Sequence, residues 1–196
     1  MTTPYARARR LIDDAHRADP VRDAAGQPAE LGYADSMERW ILRLDPQAPE
    51  LLRLAARCQH LERWSVPRNA YPMDKPGYYK WRTGLYTKQA GRAQELLLAA
   101  GVDAAEADDV FRWVAKQDLK KDPGSQALED AACLVFLENE IAGFATTHAD
   151  YPRQKFIDIL RKTWTKMSPA GHALALALPL PEGIAALVRE ALGSTT

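Results

Sequence analysis

His60 lies in the segment RCQHLERW, at the end of an apolar helical stretch. Arg57 precedes it by three residues and shares its helix face, and Arg63 and Trp64 follow. An imidazole in such company can ligate a metal ion that activates water. The alternative is a boundary histidine that caps the carboxyl end of its helix, where the helix dipole favours a positive charge.

The segment from Arg53 to Arg92 is strongly basic and rich in aromatic residues. It holds nine basic and two acidic residues, a net charge of +7, and six of the sixteen aromatic residues of the chain. Arginine binds phosphate through two parallel hydrogen bonds, and aromatic faces stack on bases. The pattern predicts a site for a small phosphorylated ligand such as a nucleotide, with RNA as an alternative partner. Solvated helix faces would give the same pattern. The candidate ligand-binding residues are Arg57, Arg63, Trp64, Arg68, Tyr71, Trp81, Arg82 and Lys116.

Glu129 and Asp130 stand directly before the apolar run AACLVFL. A carboxylate on a buried helix needs a partner, which can be a metal ion, a basic side chain or a histidine. The alternative is a pair of first-turn acids stabilised by the helix N-terminus.

Other features limit the class of protein. The 196 residues carry 26 basic and 26 acidic side chains, and this zero net charge argues against broad coating of nucleic acid. Cys58 and Cys133 lie in apolar helical stretches and are predicted to be buried thiols. The amino-terminal sequence lacks an apolar signal region, and the longest apolar run is far short of the ~20 residues of a membrane span. We therefore expect a cytoplasmic protein that does not contact a membrane.

Apolar periodicity predicts helices almost throughout, divided by prolines and glycines. The sequence indicates one all-α domain over residues 1–196 with about eight helices. The expected helical segments are Pro4 to Asp19, Tyr33 to Leu44, Pro49 to Leu61, Gly77 to Ala100 closed by Gly101, Ala104 to Gln117, Ser125 to His148, Pro152 to Met167, a start capped by Ser168, and Pro181 to Gly193, with residues 20–32 as a loop.

The segment AARCQHLERW, followed some 70 residues later by SQALEDAACLVFLE, resembles HD-domain metal-dependent phosphohydrolases. His60 matches the motif histidine and Asp130 the final aspartate. The resemblance implies an HD-like helical scaffold and metal-assisted hydrolysis of a phosphate ester. It implies that His60 and Asp130 hold one divalent metal ion (Mn²⁺, Mg²⁺, Fe²⁺ or Zn²⁺) and that His60, Asp130 and Glu129 are catalytic. The sequence departs from the motif, because Leu61 replaces its aspartate and Gln89 and Lys116 stand where further histidines are expected. An HD-like scaffold without a metal is therefore equally compatible.

Three blocks, QHLERWSVPRNAYPMDKPGYYKWRT, LEDAACLVFLE and ILRKTWTKMS, more closely resemble the family called domain of unknown function 4202, over about residues 34–172. That resemblance implies no established activity. Three hypotheses follow: a metal-assisted phosphohydrolase of a small phosphorylated compound, a non-catalytic HD-like module that binds a nucleotide, phosphorylated metabolite or RNA, and a protein whose basic residues are only a solvated surface.

Overall fold

The computed structural model describes residues 2–148 and 150–193, which form ten α-helices and no strand. The predicted all-α class is confirmed. Two short 3₁₀ turns, Arg63–Ser65 and Arg68–Ala70, lie between the third and fourth helices, and a π-helical turn, Phe136–Glu140, follows the sixth. The helices are α1 Pro4–Arg17, α2 Ala29–Leu44, α3 Glu50–Arg57, α4 Lys75–Ala99, α5 Ala104–Val114, α6 Pro123–Val135, α7 Ile141–Thr147, α8 Arg153–Lys166, α9 Pro169–Leu176 and α10 Glu182–Ala191.

The helix count corrects the sequence-based estimate of about eight. The segment predicted as one helix from Ser125 to about His148 consists of α6 and α7 with the π-helical turn between them. The predicted cap at Ser168 begins the short helix α9, and the Ser168 hydroxyl accepts a hydrogen bond from the Gly171 N–H. A hydrophobicity pattern does not register one residue inserted into a helical turn, so it joins the two pieces.

The chain divides into two compact units, Met1–Leu128 and Glu129–Thr196. The boundary between them falls within the sequence of α6. A single domain over the whole chain stays a prediction.

In the first unit, α1, α2 and α3 bury apolar faces against one another, and α4 packs against α1 and α5. Met37, Trp40 and Ile41 of α2 are fully buried, as their i, i+3, i+4 spacing predicts. Burial of each such side chain contributes roughly 1.5–3 kcal/mol, so this face fixes where α2 and the chain before it lie.

The start of α4 is fixed by a cap and a close backbone approach. The Asp74 side chain accepts a hydrogen bond from the Gly77 N–H at 2.7 Å. A β-carbon on Gly77 would lie 2.1 Å from the Pro72 carbonyl oxygen, so only glycine fits. At the other end Gly101 has a φ of 80°, which confirms the predicted glycine stop.

Helix α3 ends at Arg57, four residues before the predicted end at Leu61. Leu61 is buried beyond this end. Arg57 pairs with carboxylates of α1 and α2, and the His60 ring stacks on Tyr33 of α2. These contacts accompany a reversal of the chain directly after α3.

Both cysteines are buried thiols, as predicted. Within residues 2–148 and 150–193, none of the helices combines the length and apolar character that crossing a membrane requires.

Candidate anion-binding site

The chain reverses after α3 through two non-glycine residues with positive φ, His60 at 59° and Glu62 at 51°. This conformation is uncommon for side chains with a β-carbon and persists where surrounding contacts impose it. Leu61 between them is buried. The His60 ring stacks on Tyr33 of α2, with centroids 3.9 Å apart, and Glu62 accepts from Arg92 Nε at 2.9 Å. Contacts from α2 and α4 thus hold this turn in a strained shape.

A second strained turn follows α5. Lys116, Asp118 and Lys120 have φ values of 57°, 51° and 72°. The Gln117 carbonyl accepts a hydrogen bond from the Ser125 hydroxyl at 2.8 Å, which ties the turn to the start of α6. The Lys116 ammonium lies 5.2 Å from the ring centre of Tyr86 on α4. Strained residues of this kind cluster at functional sites. This turn places the Lys116 ammonium beside α4.

Both ring nitrogens of His60 have close polar neighbours. Nε2 lies 2.5 Å from Arg63 Nη1, and Nδ1 lies 3.3 Å from Glu30 Oε2. A guanidinium can only donate, so Nε2 accepts and the ring proton is on Nδ1, beside the Glu30 carboxyl. Burial, together with the positive charges of Arg63 and Lys116, holds the pKa of His60 well below its usual range. His60 is therefore a neutral imidazole at pH 7.

Glu30 is the acidic member of this group. Burial raises the pKa of its carboxyl from 4.5 to about 7, against the opposing effect of Arg63, and nearby Asp19 raises it further. The site thus contains an acid that is partly protonated at neutral pH. Residues 20–32 are a predicted loop, so sequence reasoning missed Glu30; the structure begins α2 at Ala29.

Basic and aromatic side chains of α4, of the two 3₁₀ turns and of the turn after α5 lie against one another. We call these seven residues the cation–aromatic cluster. The Arg63 guanidinium lies 4.9 Å from the Trp81 ring centre, and that of Arg82 lies 6.0 Å from Tyr78 and 5.7 Å from Tyr86. The members are Arg63, Arg68, Arg82, Lys116, Tyr78, Trp81 and Tyr86.

The three arginines of the cluster donate hydrogen bonds to neutral groups. Arg82 donates to the hydroxyls of Tyr86 and Tyr78, the latter at 3.0 Å. Arg68 donates to the carbonyls of residues 71 and 74, at 3.1 and 3.2 Å. Arg63 donates to the His60 imidazole. Neutral partners fix the guanidinium groups without cancelling their charge, which leaves a concentrated positive potential.

Three buried side-chain N–H groups beside this region have no hydrogen-bond partner within the described residues. They are Gln59 Nε2, Trp64 Nε1 and Gln89 Nε2. Gln59 precedes His60, and Gln89 lies seven residues after Arg82 on α4; these glutamines are 5% and 3% exposed. A buried donor without an acceptor costs about 1–3 kcal/mol, so such groups need an explanation, of which a ligand is one.

The structure brings together most of the predicted ligand-binding residues. Arg63, Arg68, Trp81, Arg82 and Lys116 are in the cation–aromatic cluster, beside His60. Trp64 follows Arg63 in the 3₁₀ turn, and the Tyr71 carbonyl accepts from Arg68. Tyr78 and Tyr86 were not selected, although their i, i−4 and i, i+4 spacing from Arg82 could have identified them.

Arg57 has a different place. Its side chain is 1% exposed and forms ion pairs with Asp13, Asp35 and Glu38, at 2.5, 2.7 and 3.0 Å. Its carbonyl accepts from the Nε2–H of buried His16 at 2.7 Å. These contacts join α1, α2 and α3. Arg57 therefore stabilises the interior of the first unit and is not a member of the cation–aromatic cluster.

Asp130 and Glu129 belong to the second unit, and both are buried. Asp130 accepts from the Ser168 N–H at 2.7 Å and from the Ser168 hydroxyl at 2.5 Å. Glu129 pairs with Lys166 at 3.2 Å, a basic partner of the kind its burial predicts. Asp130 thus fastens the residue that caps α9, a role that the sequence does not indicate.

The residues present do not fit the metal ion that the HD resemblance implies. The Arg63 guanidinium occupies the His60 Nε2 lone pair that a metal would need, and His60 is surrounded by cations that repel a divalent ion. Among the described residues, histidine, cysteine and acidic side chains form no group of three placed to hold a metal. We therefore derive no step through a metal ion.

No curated protein and no solved structure matches the chain. The profile of one family, described as domain of unknown function (DUF4202), matches residues 6–188. The matched residues include the whole cation–aromatic cluster and both strained turns, the one after α3 and the one after α5. The chain therefore belongs to the DUF4202 family.

Proposed function

We propose that the cation–aromatic cluster binds a small phosphorylated ligand, of which a nucleotide fits best. The observation that carries the proposal is the set of three arginines held over aromatic rings by neutral hydrogen-bond partners. A phosphate would supply the missing negative charge through charge-assisted hydrogen bonds. The unpartnered N–H groups of Gln59, Trp64 and Gln89 add support, since they need acceptors that an oxygen-rich ligand provides.

The aromatic residues favour a nucleotide over inorganic phosphate. Tyr78 is partly exposed within the cluster, and its ring can stack on a base while Arg82 and Lys116 hold the phosphate. In this proposal the chain has the HD-like scaffold that its sequence resembles, in a non-catalytic form. Hydrolysis of the bound ester stays a prediction, which phosphate release with and without Mn²⁺ would test.

The test is isothermal titration with inorganic pyrophosphate and with ADP, on wild type, Arg82→Gln and Arg112→Gln. Arg112 is the matched control, because it is a half-exposed arginine of the same unit that pairs with Asp109 outside the cluster. We expect saturable binding, tighter for ADP, that Arg82→Gln weakens about 10- to 100-fold, the worth of one charged hydrogen bond. Arg112→Gln should bind like wild type.

Absence of saturable binding to wild type would overturn the proposal, as would equal affinity of wild type and Arg82→Gln. Because Arg82 also holds two tyrosines, Arg82→Lys serves as a second variant that keeps the charge but loses the planar fork. It should show intermediate affinity.

RNA is the second candidate ligand. Tyr79, on the first turns of α4, is 53% exposed and stands between exposed Tyr78 and Lys80. An exposed aromatic beside lysines is typical of surfaces that stack single-stranded bases. A fluorescent oligouridylate added to the same titration series decides between the two: salt-sensitive binding lost in Tyr79→Ser supports RNA, and binding unaffected by Tyr79→Ser excludes this surface.

A further inference from the structure

Arg63 is the arginine of the cluster whose position depends on the strained turn. It follows His60 by three residues, and its Nη1 donates to His60 Nε2 at 2.5 Å while its guanidinium lies over Trp81. A guanidinium carries five N–H donors, and the described residues engage one of them. The other four remain for a ligand, provided that the long side chain stays in this orientation.

The imidazole that holds Arg63 is itself fixed on two sides. Tyr33 stacks on one face of the ring, at 3.9 Å and an interplanar angle of 15°. Glu30 Oε2 lies 3.3 Å from Nδ1 on the opposite edge from Arg63. The ionised carboxylate of Glu30 at Nδ1 favours the tautomer with its proton there, and only that tautomer leaves Nε2 free to accept from Arg63.

We propose that Glu30 and His60 are positioning residues, in which Glu30 selects the Nδ1–H tautomer of His60 and His60 Nε2 orients the Arg63 guanidinium toward the phosphate. This inference rests on the proposed function for the identity of the ligand. It replaces a metal-ligating or proton-transferring role for His60 with a purely geometric one. The gain is entropic, because an arginine that is already ordered loses less rotamer freedom when it binds the ligand.

Two substitutions separate the parts of this arrangement. Asparagine tolerates the positive φ of residue 60, and its amide reaches only as far as Nδ1, so His60→Asn keeps the turn but removes the acceptor for Arg63. Glutamine is one atom longer, and its amide oxygen can take the place of Nε2. His60→Gln therefore keeps an acceptor in reach of Arg63.

The first measurement is the ¹⁵N spectrum of the histidine side chains at pH 7, with the His60 signals assigned by their loss in His60→Asn. We expect His60 to show a protonated Nδ1 and an unprotonated Nε2. A protonated Nε2 would overturn the proposal. This measurement needs no ligand, so it stands even if pyrophosphate fails to bind and the proposed function is wrong.

The second measurement is the affinity for inorganic pyrophosphate. We expect His60→Asn and Arg63→Gln each to weaken binding about tenfold, the double variant to be no weaker than either single variant, and His60→Gln to stay within about threefold of wild type. Non-additivity of this kind means that both substitutions remove the same interaction. Additive losses, or equal losses in His60→Asn and His60→Gln, would show that His60 acts on the ligand independently of Arg63.

Discussion

A cation can be held either by a carboxylate or by a neutral acceptor, and the two have opposite consequences for anion binding. Arg57 and Arg92 pair with carboxylates, so their charges are largely compensated. Arg63 and Arg82 are held by an imidazole and by phenol hydroxyls, which fix their geometry and leave the charge in place. The choice of partner thus separates arginines that stabilise the fold from arginines that can attract a phosphate.

The acid beside His60 gives the folded protein a specific dependence on pH. Because the folded-state pKa of Glu30 is about 7 and its ordinary value is 4.5, the folded state binds the proton more tightly than the unfolded state. The stability that this provides is complete below pH 4.5 and is lost as the pH rises through 7. Glu30→Gln, which cannot ionise, should gain stability relative to wild type by up to about 3 kcal/mol between pH 5 and pH 8.

Urea unfolding of wild type and Glu30→Gln at pH 5, 6, 7 and 8 measures this difference directly. The difference between the two unfolding free energies cancels the titration of groups outside the site. The charged or titratable groups near Glu30, which still affect this difference, are His60, Arg63, Asp19 and His16. A difference that stays constant over this range, or that falls, would contradict a raised pKa of Glu30.

Among the elements, those bounded by local signals are the ones that the sequence predicts well. Pro4 begins α1, Ser168 caps α9 and Gly101 ends α4, and each depends on residues within one turn of the boundary. The end of α3 is predicted four residues late. There the deciding contacts are the carboxylates around Arg57 and the Tyr33 ring on His60, which come from other helices.

The candidate site also has one part that the sequence predicts and another that depends on tertiary contacts. The basic and aromatic composition of residues 53–92 predicts an anion site in this segment, because excess charge is visible in sequence. The pairing of His60 with Asp130 is a motif-based hypothesis, and the contacts that the structure shows for these residues are with Glu30 and Arg63 in one unit and Ser168 in the other. Only tertiary structure selects among several acids that could serve as the partner of a histidine.

The cap of α9 allows a test of what Asp130 does. Replacing Asp130 with alanine leaves the half-buried N–H of Ser168 without its acceptor and removes the carboxyl group that lies against Gly171. We expect Asp130→Ala to lower the free energy of unfolding by about 1–3 kcal/mol, and Asp130→Asn, which keeps an acceptor oxygen, to lower it less.

The same unfolding measurements with EDTA and with added Mn²⁺ address the metal hypothesis for Asp130. A role confined to capping makes the stability of wild type independent of both additions. Stabilisation of wild type by Mn²⁺ that disappears in Asp130→Asn would instead show that this carboxylate ligates the metal.

For the whole molecule, zero net charge conceals two arrangements of cations. In the first unit, the buried Arg57 pairs with Asp13, Glu38 and the exposed Asp35, and Arg9 and Arg53 also pair with Glu38. The cation–aromatic cluster contains arginines on neutral partners. Net charge sums over both kinds, so it excludes broad polyanion binding but carries no information about a local site.

Unfolding of the complete chain tests the prediction of a single domain. Arg57→Met removes one ion-pair partner from the buried Glu38 and one from the half-buried Asp13, which should cost about 3–5 kcal/mol. The matched control Arg53→Met removes a more exposed partner of the same Glu38 and should cost about 1 kcal/mol or less.

Since the sequence shows no linker, we expect one cooperative calorimetric transition, shifted down both by Arg57→Met in the first unit and by Asp130→Ala in the second. Two transitions, each sensitive to only one of these variants, would show that residues 1–128 and 129–196 unfold as separate domains.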